Sequence, residues 1–142
     1  MKPSFIIFLD FDGVVKQPRT NNFEPACVHC VNALANRLDA KIVISSSWRA
    51  IADINRLNIV FENRIIGSTP SITPAEHLDG CARYAEVQAF LEKRDWKGIP
   101  WLALDDDANN FPAGAPVYVI DSKTLITRDD VREAIRRFGN LS

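Results

Sequence analysis

The sequence predicts a three-layer α/β fold in which helices cover both faces of a five-stranded, mainly parallel sheet. Short, continuous apolar segments alternate with amphipathic helical segments along the chain. Continuous apolar runs of this length are typical of strands that are buried on both faces, as in parallel sheets. Acidic or hydroxyl residues directly follow several of these runs, at the edge where parallel sheets bind ligands.

Length and composition indicate one globular domain, residues 1–142, because no repeat, low-complexity tract or long linker divides the chain. Hydrophobic residues make up 46% and charged residues 25%, and the net charge of −1 excludes a strongly basic nucleic-acid-coating surface. The apolar run near the start, Phe5–Leu9, is far shorter than a membrane span. Three cysteines without a signal segment predict a cytoplasmic protein with free thiols that is not bound to membranes.

The first half of the chain contains three predicted strands and two predicted helices. Strands are predicted at apolar runs too short for buried helices, which are Phe5–Leu9, Lys41–Ile44 and Arg64–Ile66. Helices are predicted over Ala26–Leu38 and Trp48–Leu57, where apolar residues recur at helical spacing.

The second half of the chain continues the alternation of helix and strand. Thr127, with Asp130 three residues later, is close to a capping box and predicts the start of a last helix. Gly139 is well placed to end that helix, whose arginines alternate with acids and predict a solvated face. The predicted elements of this half are the helix Cys81–Lys93, the strands Trp101–Leu104 and Val117–Ile120, and the helix Arg128–Phe138.

Acidic residues follow the first and fourth predicted strands, namely Asp10 and Asp12, and Asp105 and Asp106. A hydroxyl cluster that begins at Ser45 follows the second strand. Carboxylates gathered at one edge repel each other and raise one another's pKa values unless a cation neutralises them, and Mg²⁺ prefers such oxygen ligands. Aspartates are also common in turns after strands, but four of them at two strand ends favour a metal site over that explanation.

The paired aspartates of the first strand also suggest catalysis. Asp10 ends the strand, Asp12 lies two residues on, and Gly13 allows the chain to turn sharply behind them. One carboxylate can attack as a nucleophile while the other transfers a proton, and Ser45 offers a hydroxyl donor.

These segments resemble the motifs of the haloacid dehalogenase (HAD) superfamily. Phe8–Val14 resembles its first motif, D-x-D-G-[TV] after an apolar strand. Ile42–Ser45 is similar to the second motif, and Leu102–Asp106 to the fourth, a strand that ends in paired acids. The small size and the Ser-Ser-Trp-Arg run further resemble the HAD domain of RNA-repair "Swiss army knife" proteins.

This resemblance implies a Rossmann-like hydrolase, a Mg²⁺-dependent phosphatase that forms an aspartyl-phosphate on Asp10. Asp12 would act as general acid and then general base, and its backbone carbonyl would join Asp10 in binding the metal. Asp105 or Asp106 would complete the metal site, with Asp106 favoured as the inner ligand. A non-catalytic or regulatory phosphate-binding module on the same scaffold is the alternative.

The resemblance also implies residues that bind the phosphoryl group. Ser45 would hydrogen-bond it, or Ser46 would if the strand runs one residue longer. Arg83 is the candidate for the basic residue of the third motif, and Lys93 and Arg94 leave that assignment open.

Two further interpretations complete the predictions. Cys27 and Cys30 have C-x-x-C spacing, but a zinc site needs more ligands than the remaining His77 and Cys81 offer, which favours structural thiols. Receiver domains of signalling proteins also bring acids to a sheet edge, but their phosphorylated aspartate follows the third strand, where this chain has Ile66-Gly67-Ser68.

Access to the predicted site should be open, because the segments that carry cap domains in this superfamily are short here. They are Lys16–Pro25 and Gly67–His77. An open site admits the end of a polymer, so the expected phosphorylated substrate is extended, such as a nucleic-acid terminus. The sequence predicts no oligomeric state.

Overall fold

A parallel five-stranded sheet forms the centre of the computed structural model, which describes residues 2–45, 53–72 and 81–141. The strands are β1 (Ile6–Leu9), β2 (Lys41–Ile44), β3 (Ile65–Ser68), β4 (Trp101–Asp105) and β5 (Val117–Val119). The helices are α1 (Pro25–Leu38), α2 (Ile54–Val60), α3 (Ala82–Arg94) and α4 (Arg128–Phe138), with short 3₁₀ turns at Ala108–Asn110 and Gly139–Leu141. The predicted α/β fold class is confirmed.

The strand order is β3-β2-β1-β4-β5, and every neighbouring pair is parallel. The chain therefore reverses its direction of progress across the sheet between β1 and β4, and open α/β sheets bind ligands beside such a switch point. Receiver domains have the different order 2-1-3-4-5, so the topology argues against that alternative.

The sheet has a hydrophobic core on each face, as the continuous apolar strands predict. On one face, Ile7 belongs to a buried cluster that includes Leu34 of α1 and Ala134 of α4. On the other face, Phe8 packs edge-to-face against Phe90 of α3, with ring centroids 5.7 Å apart. All four residues of β1 are thus shielded from water between the two helical layers, at the centre of the sheet.

Most element bounds agree with the sequence to within one residue, and β2 and α4 agree at both ends. The capping box of α4 is present, because Thr127 and Asp130 satisfy each other's backbone N–H groups. Gly139 does follow the last residue of α4, but it keeps right-handed helical angles (φ −61°, ψ −25°) and continues into a 3₁₀ turn. The α-helix therefore ends where Gly139 predicts, although this glycine does not adopt the left-handed conformation that is common at helix ends.

The second helix differs most from its prediction. Part of the predicted segment Trp48–Leu57 lies outside the described residues, and α2 begins at Ile54 and continues to Val60. Asp53 caps this helix, since its carboxylate accepts hydrogen bonds from the backbone N–H groups of the second and third helical residues.

The connection from β1 to α1 is a compact turn and not an inserted domain. The Phe11 carbonyl accepts hydrogen bonds from the N–H groups of Val14, Val15 and Lys16, at 3.0–3.3 Å. The Glu24 N–H then bonds the Val15 carbonyl at 2.9 Å, directly before α1 begins. Over the part of the chain that the structure describes, no segment forms a cap above the carboxyl edge of the sheet.

Two smaller expectations concern thiols and membranes. Cys27 and Cys30 are free and lie on the buried face of α1, in the core. Burial raises the pKa of both thiols, as expected for packed cysteines. None of the described helices is both long and apolar enough to cross a bilayer.

Candidate active site

The register of the parallel strands places three polar residues in one row at the carboxyl edge. Leu9 at the end of β1 is aligned with Leu104 of β4, so the next residues, Asp10 and Asp105, are neighbours. The Asp10 N–H donates to the Leu104 carbonyl at 3.1 Å, and the Ser45 N–H donates to the Leu9 carbonyl at 2.9 Å. Ladder hydrogen bonds therefore fix the backbone that carries Ser45, Asp10 and Asp105 side by side.

Three carboxylates meet at this edge and form what we call the acidic group: Asp10, Asp105 and Asp106. One oxygen of each lies within 4.8 Å of the others. Asp10 and Asp105 are 7% and 1% exposed, whereas Asp106 is more accessible. Of the four acids predicted at these two strand ends, the structure brings together Asp10, Asp105 and Asp106 but not Asp12.

Gly13 makes room for this arrangement. Its φ of +83° belongs to the left-handed region that favours glycine, which explains the sharp turn after Asp12. A Cβ at this position would lie 2.6 Å from the Asp106 Cγ, which is too close for any real contact. Any residue with a side chain would therefore displace the Asp106 carboxylate.

Burial makes the acidic group electrostatically unfavourable in its charged form. Burial first, and then the negative charge of Asp105, raise the pKa of Asp10 to about 8, while the positive charge of Arg83 opposes the rise. Burial likewise raises the pKa of Asp105 to about 6, opposed by the Asp107 N–H and by Arg83. Burial thus disfavours the charged forms of both carboxyls.

Asp107 supports the group without joining it. Its backbone N–H donates to Asp105 Oδ1 at 2.9 Å, which fixes the orientation of that carboxylate. Its own side chain accepts a hydrogen bond from the Asn109 N–H and caps the 3₁₀ turn that follows β4. Of the three consecutive aspartates, only Asp105 and Asp106 belong to the acidic group.

The acidic group fits a hard divalent cation. Carboxylate oxygens are the ligands that Mg²⁺ takes, and it is usually bound through one or two carboxylates while it keeps several waters. A cation would also stabilise the charged form of Asp10, whose pKa is raised chiefly by burial. Among residues 2–45, 53–72 and 81–141, no other set of three or more His, Cys, Asp or Glu side chains is close enough to share a metal.

Ser45 places an unsatisfied hydroxyl beside these carboxylates. The residue is 1% exposed, and its Oγ has no hydrogen-bond partner among the residues that the structure describes. A buried hydroxyl without a partner costs about 1–3 kcal/mol, so such groups are retained where a ligand satisfies them. Ser46, the other predicted phosphate-binding serine, lies outside the described residues.

Arg83, near the start of α3, supplies positive charge to the buried carboxylates. It lowers the pKa of both Asp10 and Asp105, so its guanidinium lies within electrostatic reach of the group. Its Nη1 donates to Glu86 Oε1 at 3.3 Å, and the Glu86 side chain is 6% exposed. Glu86 therefore holds the arginine in place one helical turn along α3.

Asp12 is placed differently from Asp10. Its carboxylate pairs with the ammonium group of Lys16 and does not belong to the acidic group. Lys16 belongs to the short segment that the sequence predicts beside the site, but its pairing with Asp12 was not predicted. The four-residue spacing of Asp12 and Lys16 is the sequence signal for this pair. Such spacing normally indicates an ion pair only within a helix, whereas this pair forms in a turn.

Thr69 extends the polar row beyond Ser45. Its N–H donates to the Ile44 carbonyl at 2.9 Å, in step with the Ser45 N–H on the neighbouring strand. Its side chain is buried, and the hydroxyl lies 3.4 Å from the same carbonyl. Polar groups therefore occupy the carboxyl ends of β3, β2, β1 and β4 in succession.

Comparison with known families adds an independent finding. The family model described as "HAD domain in Swiss Army Knife RNA repair proteins" matches residues 6–131, which is most of the chain. No curated protein matches the sequence.

Proposed function

The chain belongs to the family of HAD domains found in Swiss Army Knife RNA repair proteins, and from that membership we propose that it is a Mg²⁺-dependent phosphomonoester hydrolase. In this proposal the reaction proceeds through an aspartyl-phosphate on Asp10. The observation that carries it is the buried row in which Asp10 lies between the unsatisfied Ser45 hydroxyl and the Asp105 carboxylate. A nucleophile, a hydrogen-bond donor for an anion and a metal ligand are the groups that phosphoryl transfer requires.

In the first half of the reaction, a carboxylate oxygen of Asp10 attacks phosphorus. A bond from Asp10 to phosphorus forms as the bond from phosphorus to the ester oxygen breaks, and the departing oxygen takes a proton from Asp12. The Ser45 hydroxyl donates a hydrogen bond to a phosphoryl oxygen, and Arg83 offsets negative charge at the group. Magnesium, when bound, supplies the remaining positive charge and orients the phosphoryl oxygens.

In the second half, water attacks phosphorus and gives its proton to Asp12. The bond between Asp10 and phosphorus breaks, and inorganic phosphate leaves with both residues restored to their starting forms. Asp12 thus acts first as acid and then as base. Its separation from the acidic group supports this division of labour, because a carboxylate engaged by a metal would transfer protons poorly.

We further propose that the substrate is an extended phosphomonoester, such as a phosphorylated RNA or DNA end. Two facts support this: the described turn between β1 and α1 contains no inserted domain, and the matched family takes its description from RNA repair proteins. We expect a larger kcat/KM for oligonucleotide phosphate ends than for sugar phosphates or mononucleotides. A sugar phosphate preferred by about 10²-fold or more would contradict the open-site argument without touching the hydrolase assignment.

Release of inorganic phosphate with Mg²⁺, measured on phosphorylated oligonucleotides and small phosphomonoesters, tests the hydrolase assignment. Wild-type protein should turn over at least one of these substrates, EDTA should remove the activity, and Asp10→Asn should abolish it. Activity of Asp10→Asn within about tenfold of wild type would exclude the covalent route.

A further inference from the structure

Lys16 is a lysine in an unusual position, because it is fully buried. It is 1% exposed, although lysine is among the residue types that proteins bury least. Its Nζ bonds the Asp12 carboxylate at Oδ1 and donates to the Gln17 carbonyl at 3.0 Å. Burial of an ammonium group is costly unless it is paired and hydrogen-bonded, so the chain holds this charge against Asp12 at an energetic cost.

The backbone of the turn directs Lys16 back onto Asp12. The Lys16 N–H donates to the Phe11 carbonyl at 3.3 Å, and the Lys16 carbonyl accepts from the Gly13 N–H at 2.9 Å. These bonds close a loop in which Asp12 and Lys16 form an isolated parallel bridge. These backbone hydrogen bonds therefore fix the position of the Lys16 Cα. The buried position of the side chain limits the directions in which its ammonium group can point.

The pair also determines which oxygen of Asp12 is available for proton transfer. An ammonium group has only donors, so the oxygen that faces it, Oδ1, must act as an acceptor. The other oxygen, Oδ2, is then the one to which this geometry assigns the exchange of protons. The side chain of Asp12 is 33% exposed, so it is less confined than the buried ammonium group that bonds it.

We propose that Lys16 is a positioning residue for proton transfer, which holds the Asp12 carboxyl so that one defined oxygen exchanges protons with the leaving group and with water. This role rests on the proposed hydrolase function. Lys16 does not touch the substrate, because its side chain is shielded from solvent. Its effect must therefore pass through Asp12, and it should appear only in steps that need a proton.

Leaving groups of different basicity separate this role from a structural one. We compare kcat/KM of wild type and Lys16→Met for an alkyl phosphate, whose alkoxide needs a proton, and for p-nitrophenyl phosphate, whose leaving group departs as an anion. We expect Lys16→Met to lower kcat/KM by about 10²-fold on the alkyl phosphate and by less than about tenfold on the aryl phosphate. Equal losses on both substrates would overturn the proposal.

A double-mutant cycle provides the second test. In an Asp12→Asn background, Lys16→Met should cause no further loss on the alkyl phosphate, because the group through which it acts is already absent. Losses that multiply in the double variant would overturn the proposal. Lys97→Met is the matched control, since Lys97 is an exposed lysine in a surface pair with Glu92, and it should leave both substrates unaffected.

Urea unfolding of each variant verifies that the kinetic losses come from folded protein. If Lys16→Met does not fold, Lys16→Gln keeps a hydrogen-bond donor without the charge and should show the same contrast between substrates. Wild-type protein that releases phosphate from neither of these substrates nor from a phosphorylated oligonucleotide would contradict the hydrolase function itself. An active wild type with equal losses in the variants would contradict only the role of Lys16.

Discussion

Replacing Asp10 by asparagine should stabilise the metal-free protein at alkaline pH, although it removes the nucleophile. The pKa of Asp10 is raised from 3.8 to about 8 in the folded state, chiefly by burial. A raised pKa means that the folded protein holds the proton more tightly than the unfolded chain. The stability contributed by the protonated form is complete below pH 4 and is lost as pH rises towards 8.

The magnitude follows from the same pKa. Each pKa unit corresponds to about 1.4 kcal/mol, so ionising Asp10 in the folded protein costs at most about 5 kcal/mol at pH 8. Water entry and local relaxation reduce this cost. We therefore expect the free energy of unfolding of Asp10→Asn to exceed that of wild type by about 2 kcal/mol or more. Asparagine removes the charge without changing the size of the side chain.

Urea unfolding at pH 5 and pH 8 in EDTA measures this difference. The advantage of Asp10→Asn should be small at pH 5 and grow towards pH 8, and Mg²⁺ should stabilise wild type at pH 8 more than the variant. Asp129→Asn is the control, because this aspartate is 89% exposed in a surface pair with Arg132 and should change stability by less than about 1 kcal/mol. An advantage for Asp10→Asn that is absent at pH 8, or that does not depend on pH, would refute the reasoning.

Three other substitutions give separate tests. Asp12→Asn should fold normally by circular dichroism and lower turnover by about 10²–10⁴-fold, as for loss of a general acid–base; turnover near wild type would remove Asp12 from the mechanism. Ser45→Ala should raise the free energy of unfolding by about 1 kcal/mol, because it removes a buried hydroxyl without a partner, and it should lower kcat/KM by about 10²-fold. A loss of stability would mean that the hydroxyl is satisfied within the protein. Protein purified without added metal should contain no stoichiometric zinc, and Cys27→Ser should leave its metal content unchanged. Zinc that is lost on this substitution would place a metal site at Cys27 and Cys30.

The sequence predicted the fold well where local pattern and tertiary packing agree. β2 is an uninterrupted apolar run, and α4 begins at a capping box, so both were predicted at the correct residues. The start of α2 was not, because its cap, Asp53, lies inside a segment whose apolar spacing already suggested a helix. Gly139 shows that a glycine at a helix end can keep helical angles when the chain continues into a 3₁₀ turn.

The candidate site was predictable to the extent that it follows from strand register. Asp10, Ser45 and Asp105 each come directly after an apolar strand, so a parallel sheet brings them together whatever the connecting segments do. The pairing of Lys16 with Asp12 depends instead on a closed turn that no periodic pattern describes. Burial of a lysine is likewise a tertiary property, since nothing in the residue type predicts it.

A crystal structure of the protein with Mg²⁺ and beryllofluoride tests the central claim most directly, since beryllofluoride bound to a carboxylate imitates an aspartyl-phosphate. The account predicts beryllium bonded to a carboxylate oxygen of Asp10, Mg²⁺ held by Asp10 together with Asp105 or Asp106, and the Ser45 hydroxyl donating to a fluoride. Beryllofluoride on a different carboxylate, or Mg²⁺ bound away from the acidic group with Asp10 unmodified, would contradict it.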